Sequence, residues 1–411
     1  MTPANANKPA VPRAALIFIA ITLFLDMIAQ SSSFPILPRL SQSLLGGDTA
    51  GAARWVGVLE VAWAIPMFFA APILGMLSDR FGRRPVVVIS VFGVGAELVL
   101  NALAPNMAWL LAGRMLCGFT CGAQAAAMAY VADVTAPEER TRAYGWMNAA
   151  IWSGVIMGPA LGGLLTGISL RAPFWAGAGL ALAGGVYGLF VLPESLPASD
   201  RAPIRWARAN PWGAVDLLLQ RAGLLTLSAA LLLIWLSFQG KDNMIVLYTA
   251  HRYGWTPIDL GVFVAALAAS SIAVQALLAG RIAAWLGERR AILAGLALQV
   301  VGYIGIGLAP TGPLFWAANL PVILGGVSGP ALQSLMTSKV AAGEQGRLQG
   351  AIGSISSFTS IVAPIGFTQL FAWTIEAGRP AAWSGATILI AAGFITAAWL
   401  LVAMTPKAPA P

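Results

Sequence analysis

Runs of about 20 apolar residues recur along the whole chain, and a helix needs that length to cross the hydrocarbon core of a bilayer. They predict helices near residues 14–38, 55–77, 85–104, 107–131, 143–167, 172–192, 222–247, 257–284, 290–308, 313–338, 347–373 and 382–404. Only helices and closed barrels satisfy every backbone group inside lipid. The expected fold is therefore an all-α integral membrane protein with twelve transmembrane helices. Charged residues make up 10% of the 411, against 58% hydrophobic; a soluble surface of this size needs about 25% charge. The first run, from Ala14 to about Leu37, is too long for a signal-peptide core and has no small-residue cleavage site after it. It is expected to be retained as the first helix.

The formal net charge of +8 does not point to nucleic acid, because the basic residues form short clusters between apolar runs with no aromatic-interleaved face. Their placement instead sets orientation. Arg80, Arg83, Arg84, Arg140, Arg142, Arg201, Arg205, Arg208, Arg289 and Arg290 fall in loops of one parity. The other parity holds Arg39, Arg54, Arg171, Lys241, Arg252 and Arg379. By the positive-inside rule both termini are expected in the cytoplasm. The two cysteines, Cys117 and Cys121, lie four apart on one apolar helix. They read as packing residues, neither a disulfide nor a metal site.

An internal repeat divides the chain. Gly75 and Gly280, Gly82 and Gly287, Pro105 and Pro310, Gly145 and Gly350, and Pro159 and Pro364 are each 205 residues apart. Five pairs at one offset, at corresponding helix ends or bends, indicate duplication. The expected organisation is an N-terminal six-helix bundle (1–192), a central cytoplasmic loop (193–221) and a C-terminal six-helix bundle (222–411).

The motifs carry a family resemblance. Gly75 to Pro85 (GMLSDRFGRRP) resembles the signature loop between the second and third helices of major facilitator carriers. Gly113-Arg114 with Gly118 resembles their fourth-helix motif. Gly154, Gly158, Pro159, Gly162 and Gly163 resemble the fifth-helix motif associated with antiporters. Leu25-Asp26 followed by Pro35-Ile36-Leu37-Pro38 is similar to the first helix of proton-coupled drug exporters. Leu286 to Arg290, Pro330 to Gln333 and Gln345 to Gly350 narrow the resemblance to the tetracycline/proton antiporters. It implies the major facilitator fold, two pseudo-symmetric halves with a midplane substrate site between them, and proton-coupled export of a small organic drug, tetracycline-like or multidrug. A proton-linked importer, or an exporter of an unrelated metabolite, would use the same fold.

In the loop motif, Asp79 can accept from Arg83 or from backbone N–H groups at a neighbouring helix end, a charge-assisted latch on the cytoplasmic side. Arg80, Arg83 and Arg84 either take part or simply fix topology, and Asp133 is expected in the same network. Gly75 and Gly82 would allow close backbone approach and a tight turn. On the fifth helix, glycines at four-residue spacing permit close helix contact and Pro159 bends the segment.

Proton coupling needs a carboxyl group inside the membrane, where charge is costly and ionisable residues are functional by default. Asp26, Glu60 and Glu97 are the acids deep within predicted helices. Asp26 matches the exporters' first-helix acid, and Glu97 stands eight residues before Pro105, where tetracycline exporters carry an Asp. Glu60 either lines the pocket or lies near the outer surface. Arg114, the one deep cation, either takes part in proton relay or forms a fixed ion pair joining helices.

The second half is read as lacking deep carboxylates. Its amides Gln239, Asn243, Gln275, Gln299, Asn319 and Gln333, with Trp235 and Phe238, suit a ring-containing polar molecule or tie helices together. Gln30 and Gln124 join Asp26 as first-half binding candidates. Gln299 and Ser271 stand where tetracycline exporters carry an Asp and a His, so neither a metal–tetracycline site nor a second-half proton path is carried over. The single histidine, His251, is expected to be solvated. No cofactor or protein metal site is expected. The energy source is the proton gradient, and a divalent metal would enter only with a tetracycline-like substrate. The expected partners are that substrate, protons and the bilayer of a bacterial inner membrane, with the chain monomeric.

Overall fold

The computed structural model describes residues 13–135, 139–197, 199, 201, 222–340, 345–376 and 379–405. Most of the expected central loop, 193–221, lies outside them. Among the described residues every regular element is helical, and 12 segments are long and apolar enough to cross a membrane. Helices α1 (Arg13–Ser32) and α2 (Leu37–Leu44) share the first segment. Then come α3 (Thr49–Phe81), α4 (Arg83–Leu103), α5 (Met107–Thr120) with α6 (Ala123–Val134), α7 (Arg140–Leu165) and α8 (Ala172–Val191). The later elements are α9 (Ala222–Tyr253), α10 (Pro257–Val274), α11 (Gly280–Leu286), α12 (Glu288–Leu308), α13 (Gly312–Gly325) with α14 (Ser328–Thr337), α15 (Gln345–Thr374) and α16 (Ala386–Met404).

Local chemistry explains the boundaries. Gly82 precedes α4 at φ 111° and Gly287 precedes α12 at φ 78°, a left-handed turn open to glycine and costly for other residues. These are partners in the repeat. Asn106 caps α5 by accepting from the Ala108 N–H. Thr256 and Asp259 form a reciprocal capping box at α10. The fourth segment is interrupted at Cys121–Gly122 and the tenth at Gly326–Val327, again at matching repeat positions. Gly122 donates its freed N–H to the Ser90 hydroxyl at 3.1 Å.

By packing, the chain forms two compact units, residues 1–34 with 66–209, and 35–65 with 210–411. This cuts across the expected boundary, because the tip of the first hairpin packs with the later helices. There Gly57 lies against Pro364 and Ile365 of α15. Arg54 pairs with Glu376, and Arg39 donates to the Trp255 carbonyl.

In the first unit α1 packs against α7 and α8, and α4 against α5, α6 and α8. Lipid tails are as apolar as leucine, so close helix contact depends on small residues. A Cβ on Gly154 would stand 2.8 Å from the Phe24 carbonyl oxygen, and one on Gly158 2.8 Å from the Ser32 nitrogen. Gly162 is equally tight against Ser32. The glycine stripe of α7 thus seats the stretch of α1 that carries Asp26.

In the second unit α9 packs against α15 and α16, and α12 against α13, α14 and α16. Leu227, Ile292, Leu296, Met336 and Ile395 form an apolar core. Tyr248, Tyr253, Trp255, Phe263 and Phe315 stack near the end of α9. Large apolar side chains such as Phe190 and Trp285 stay exposed, as lipid-facing positions should.

Candidate functional site

Asp26 lies on α1 within the first unit and is 1% exposed. Gln30, one turn along, donates its amide to Oδ2 at 2.8 Å. Oδ1 is sealed from solvent and has no hydrogen-bond partner among the described residues. A buried acceptor left open in this way needs an explanation. A proton on the carboxyl group, or a donor on a bound molecule, would supply one.

Glu97 is buried on α4 and accepts from the Asn101 amide at 3.4 Å. Arg114 of α5 brings its Nε to 3.3 Å from Glu97 Oε1, with side chains 14% and 5% exposed. Gly113 makes the approach possible, because a Cβ there would stand 3.1 Å from Asn101 Oδ1 and 3.4 Å from Glu97 Cγ. Cys121, at the interruption of the fourth segment, lies within electrostatic range of both Asp26 and Glu97. The fold therefore places two buried pairs, Asp26 with Gln30 and Glu97 with Arg114, in the first unit. Glu60, half-buried on α3, belongs to the other packing unit. Gln124 is exposed at the start of α6.

The signature loop forms a charge cluster. The Arg83 guanidinium bonds Asp79 and, at 3.0 Å, Asp133. Ser195 also donates to Asp133. Glu194 is a member that the sequence reading did not single out: its carboxylate accepts from the backbone N–H groups of Arg83 and Arg84 at the start of α4, where a helix N-terminus favours negative charge. The only sequence trace of that role is a lone acid after the last proline of the sixth segment. Glu194 also fills the space beside Gly82, where a Cβ would collide with it. Gly75 differs from expectation: among the described residues nothing lies within 4 Å of where its Cβ would stand. Arg80 is exposed, and Arg84 donates to the Leu189 carbonyl. Pro159 and Gly163 are buried within α7.

Among the second-unit amides, Gln299 donates to the Gly325 carbonyl at 3.0 Å and to Ser328 at 3.1 Å, which ties α12 to the tenth segment. Gln239 donates to Ser360 at 2.7 Å, and Asn243 back to the Gln239 carbonyl. Asn319 is buried on the Phe315 carbonyl. Gln275 is exposed at a π-helical turn, Gln275–Ala279, and Gln333 is exposed beside Gln349. His251 is exposed near the end of α9. The expectation that this half lacks deep carboxylates needs correction: α9 runs on to Tyr253 instead of ending near 247, so Asp242, with Lys241 beside it, lies well inside a span and not close to its end.

A cavity of about 730 Å³ opens between α1 and α7. It is walled by apolar groups such as Ile17, Phe24 and Trp146, with Glu139 and Arg142 also in its lining. None of the predicted substrate-binding residues lines it. Among the described residues no group of three His, Cys, Asp or Glu side chains could hold a metal ion.

The sequence matches the Major Facilitator Superfamily over residues 19–364. The class C tetracycline resistance protein of Escherichia coli is 34% identical over 373 residues, covering 90% of this chain and 92% of that protein. The class G tetracycline resistance protein of Vibrio anguillarum is 33% identical over 377 residues, covering 92% and 95%. Multidrug resistance protein 2 of Bacillus subtilis is 26% identical over 407 residues, covering 95% and 97%. The fold is similar to that of the nucleoside transporter NupG, with TM-score 0.77 and 14% identity over 96% of this chain and 99% of that one. It is also similar to the human organic anion transporter MFSD10, with TM-score 0.68 and 22% identity over 96% and 100%. The chain belongs to the Major Facilitator Superfamily, in the branch of the tetracycline resistance proteins, and is a membrane transporter and not an enzyme.

Proposed function

We propose that this transporter exports a small organic drug, tetracycline-like or multidrug, in exchange for protons by alternating access. The observation that carries the reading is Asp26: a sealed carboxyl group with one oxygen unpartnered among the described residues, on the helix stretch seated by the α7 glycines, in the same packing unit as the Glu97–Arg114 pair. A group so placed can take up a proton or receive a donor on the cargo, which is what exchange of one for the other requires. The relatives that carry resistance to tetracycline or to several drugs supply the cargo class. The setting proposed is a bacterial inner membrane, with both termini cytoplasmic and the Asp79–Arg83–Asp133 cluster acting as a latch on that side.

The test uses proteoliposomes with an imposed pH gradient and a tetracycline as cargo. Wild-type protein should move drug and protons in opposite directions, and Asp26→Asn should abolish drug-linked proton movement. Undiminished coupling in Asp26→Asn rules out the assignment, and movement of drug and protons in the same direction rules out antiport.

A further inference from the structure

Lys241 and Asp242 stand side by side within α9. At 1.5 Å per residue, Lys241 lies roughly 28 Å from the start of α9 and roughly 16 Å from Arg252 near its end, well inside the membrane-crossing helix. Lys241 is 4% exposed. Its ammonium donates to Asp242 Oδ1 and lies 5.7 Å from the centre of the Phe238 ring. The Asp242 side chain is 32% exposed, and its second oxygen accepts no hydrogen bond among the described residues.

A carboxylate open to lipid within a membrane span is costly, and such groups face cavities or water. The open side of Asp242 is therefore read as facing water or cargo. Phe238 and Gln239 lie one turn back along α9 and Trp235 two turns back, on the same side of the helix, with Phe238 exposed and the other two half-buried. Tyr303 of α12 is a titratable side chain within electrostatic range of Asp242, and α16 brings no charged residue.

We propose that Asp242, held in place by Lys241, is the anchor for a protonated amine on the transported molecule. An ionised carboxylate only accepts hydrogen bonds, so its partner must be a donor or a cation. Aromatic faces beside it favour a cation over a neutral donor. Lys241 cannot leave without stranding a buried charge, so the incoming amine takes the second carboxylate oxygen. The cargo class is a ring-bearing cation or zwitterion with a protonated amine. This deepens the efflux reading above and rests on it for the choice of a drug-like probe.

The experiment titrates the purified full chain in detergent with tetracycline and with 4-dedimethylaminotetracycline, which lacks the amine, following tryptophan fluorescence. The amine-bearing compound should bind about tenfold tighter or more, as expected for one charge-assisted hydrogen bond. Asp242→Asn should bring the two affinities together, and Asp242→Glu should keep the preference. If Asp242→Asn does not fold, the double variant Lys241→Met/Asp242→Asn, which strands no charge, carries the same expectation. Equal affinities in the wild type, a preference that survives removal of the carboxylate, or no binding of either compound overturns the proposal. Amine-selective binding without drug movement under a pH gradient would overturn the efflux reading alone.

Discussion

Replacing Arg114 by Met removes the cation from the Glu97–Arg114 pair and leaves a carboxylate that is 5% exposed on its side chain. At 3.3 Å and an effective dielectric of about 20, the lost attraction is about 5 kcal/mol. Part of that is offset because Arg114 no longer needs to be desolvated, and single-partner deletions of buried pairs generally cost about 3–5 kcal/mol. For a helical unit of this size that lowers the apparent unfolding temperature by on the order of 10 °C. Glu97→Gln strands Arg114 less completely, since that side chain is more exposed, and should cost less. The double variant Glu97→Gln/Arg114→Met leaves no stranded charge and should recover most of the loss. Thermal unfolding in detergent for the four proteins gives the coupling energy directly. Additive losses would refute the claim that the two groups act as a pair. Drug-linked proton movement in the same four proteins separates the two readings of Arg114. A fixed strut predicts that transport returns with stability in the double variant. A proton relay predicts that stability returns and coupling does not.

Three glycine substitutions test the local geometry. Gly82→Ala forces a side chain into φ 111° and into Glu194; it should destabilise by about 1–3 kcal/mol. Gly75→Ala meets only open space and should stay within about 0.5 kcal/mol, both read by thermal unfolding. Gly158→Val wedges α1 from α7 and should cost about 1–3 kcal/mol through overpacking. A transport loss larger than the stability loss would show that the seam also positions Asp26.

Much of the architecture was legible because lipid imposes a length on each helix. The twelve segments fall close to the predicted windows, and the repeat at Gly82 and Gly287 reappears as two left-handed caps. Asp26, Glu97 and Arg114 were found as charges in apolar runs, and the fold places all three in the first unit. Gly75 was misread because a motif glycine carries no mark of what stands beside it. Asp242 was overlooked as a deep carboxylate because it falls close to the predicted helix end at 247; α9 runs on to Tyr253, and Tyr248 and Tyr253 join a packed aromatic cluster there. Glu194 was missed because capping another helix leaves no periodic trace. The interruptions of the fourth and tenth segments carry no proline at the break, so hydropathy windows run straight through them.

Those interruptions have a mechanical consequence. A continuous helix acts as a single lever, since bending it breaks backbone hydrogen bonds that lipid cannot replace. With Gly122 already bonded to a serine side chain, the fourth segment is two stiff rods joined at a hinge. One rod carries Arg114 and the other carries Asp133. Any tilt at that joint would leave the first rod's own helical hydrogen bonds, and with them the Arg114–Glu97 pair, intact.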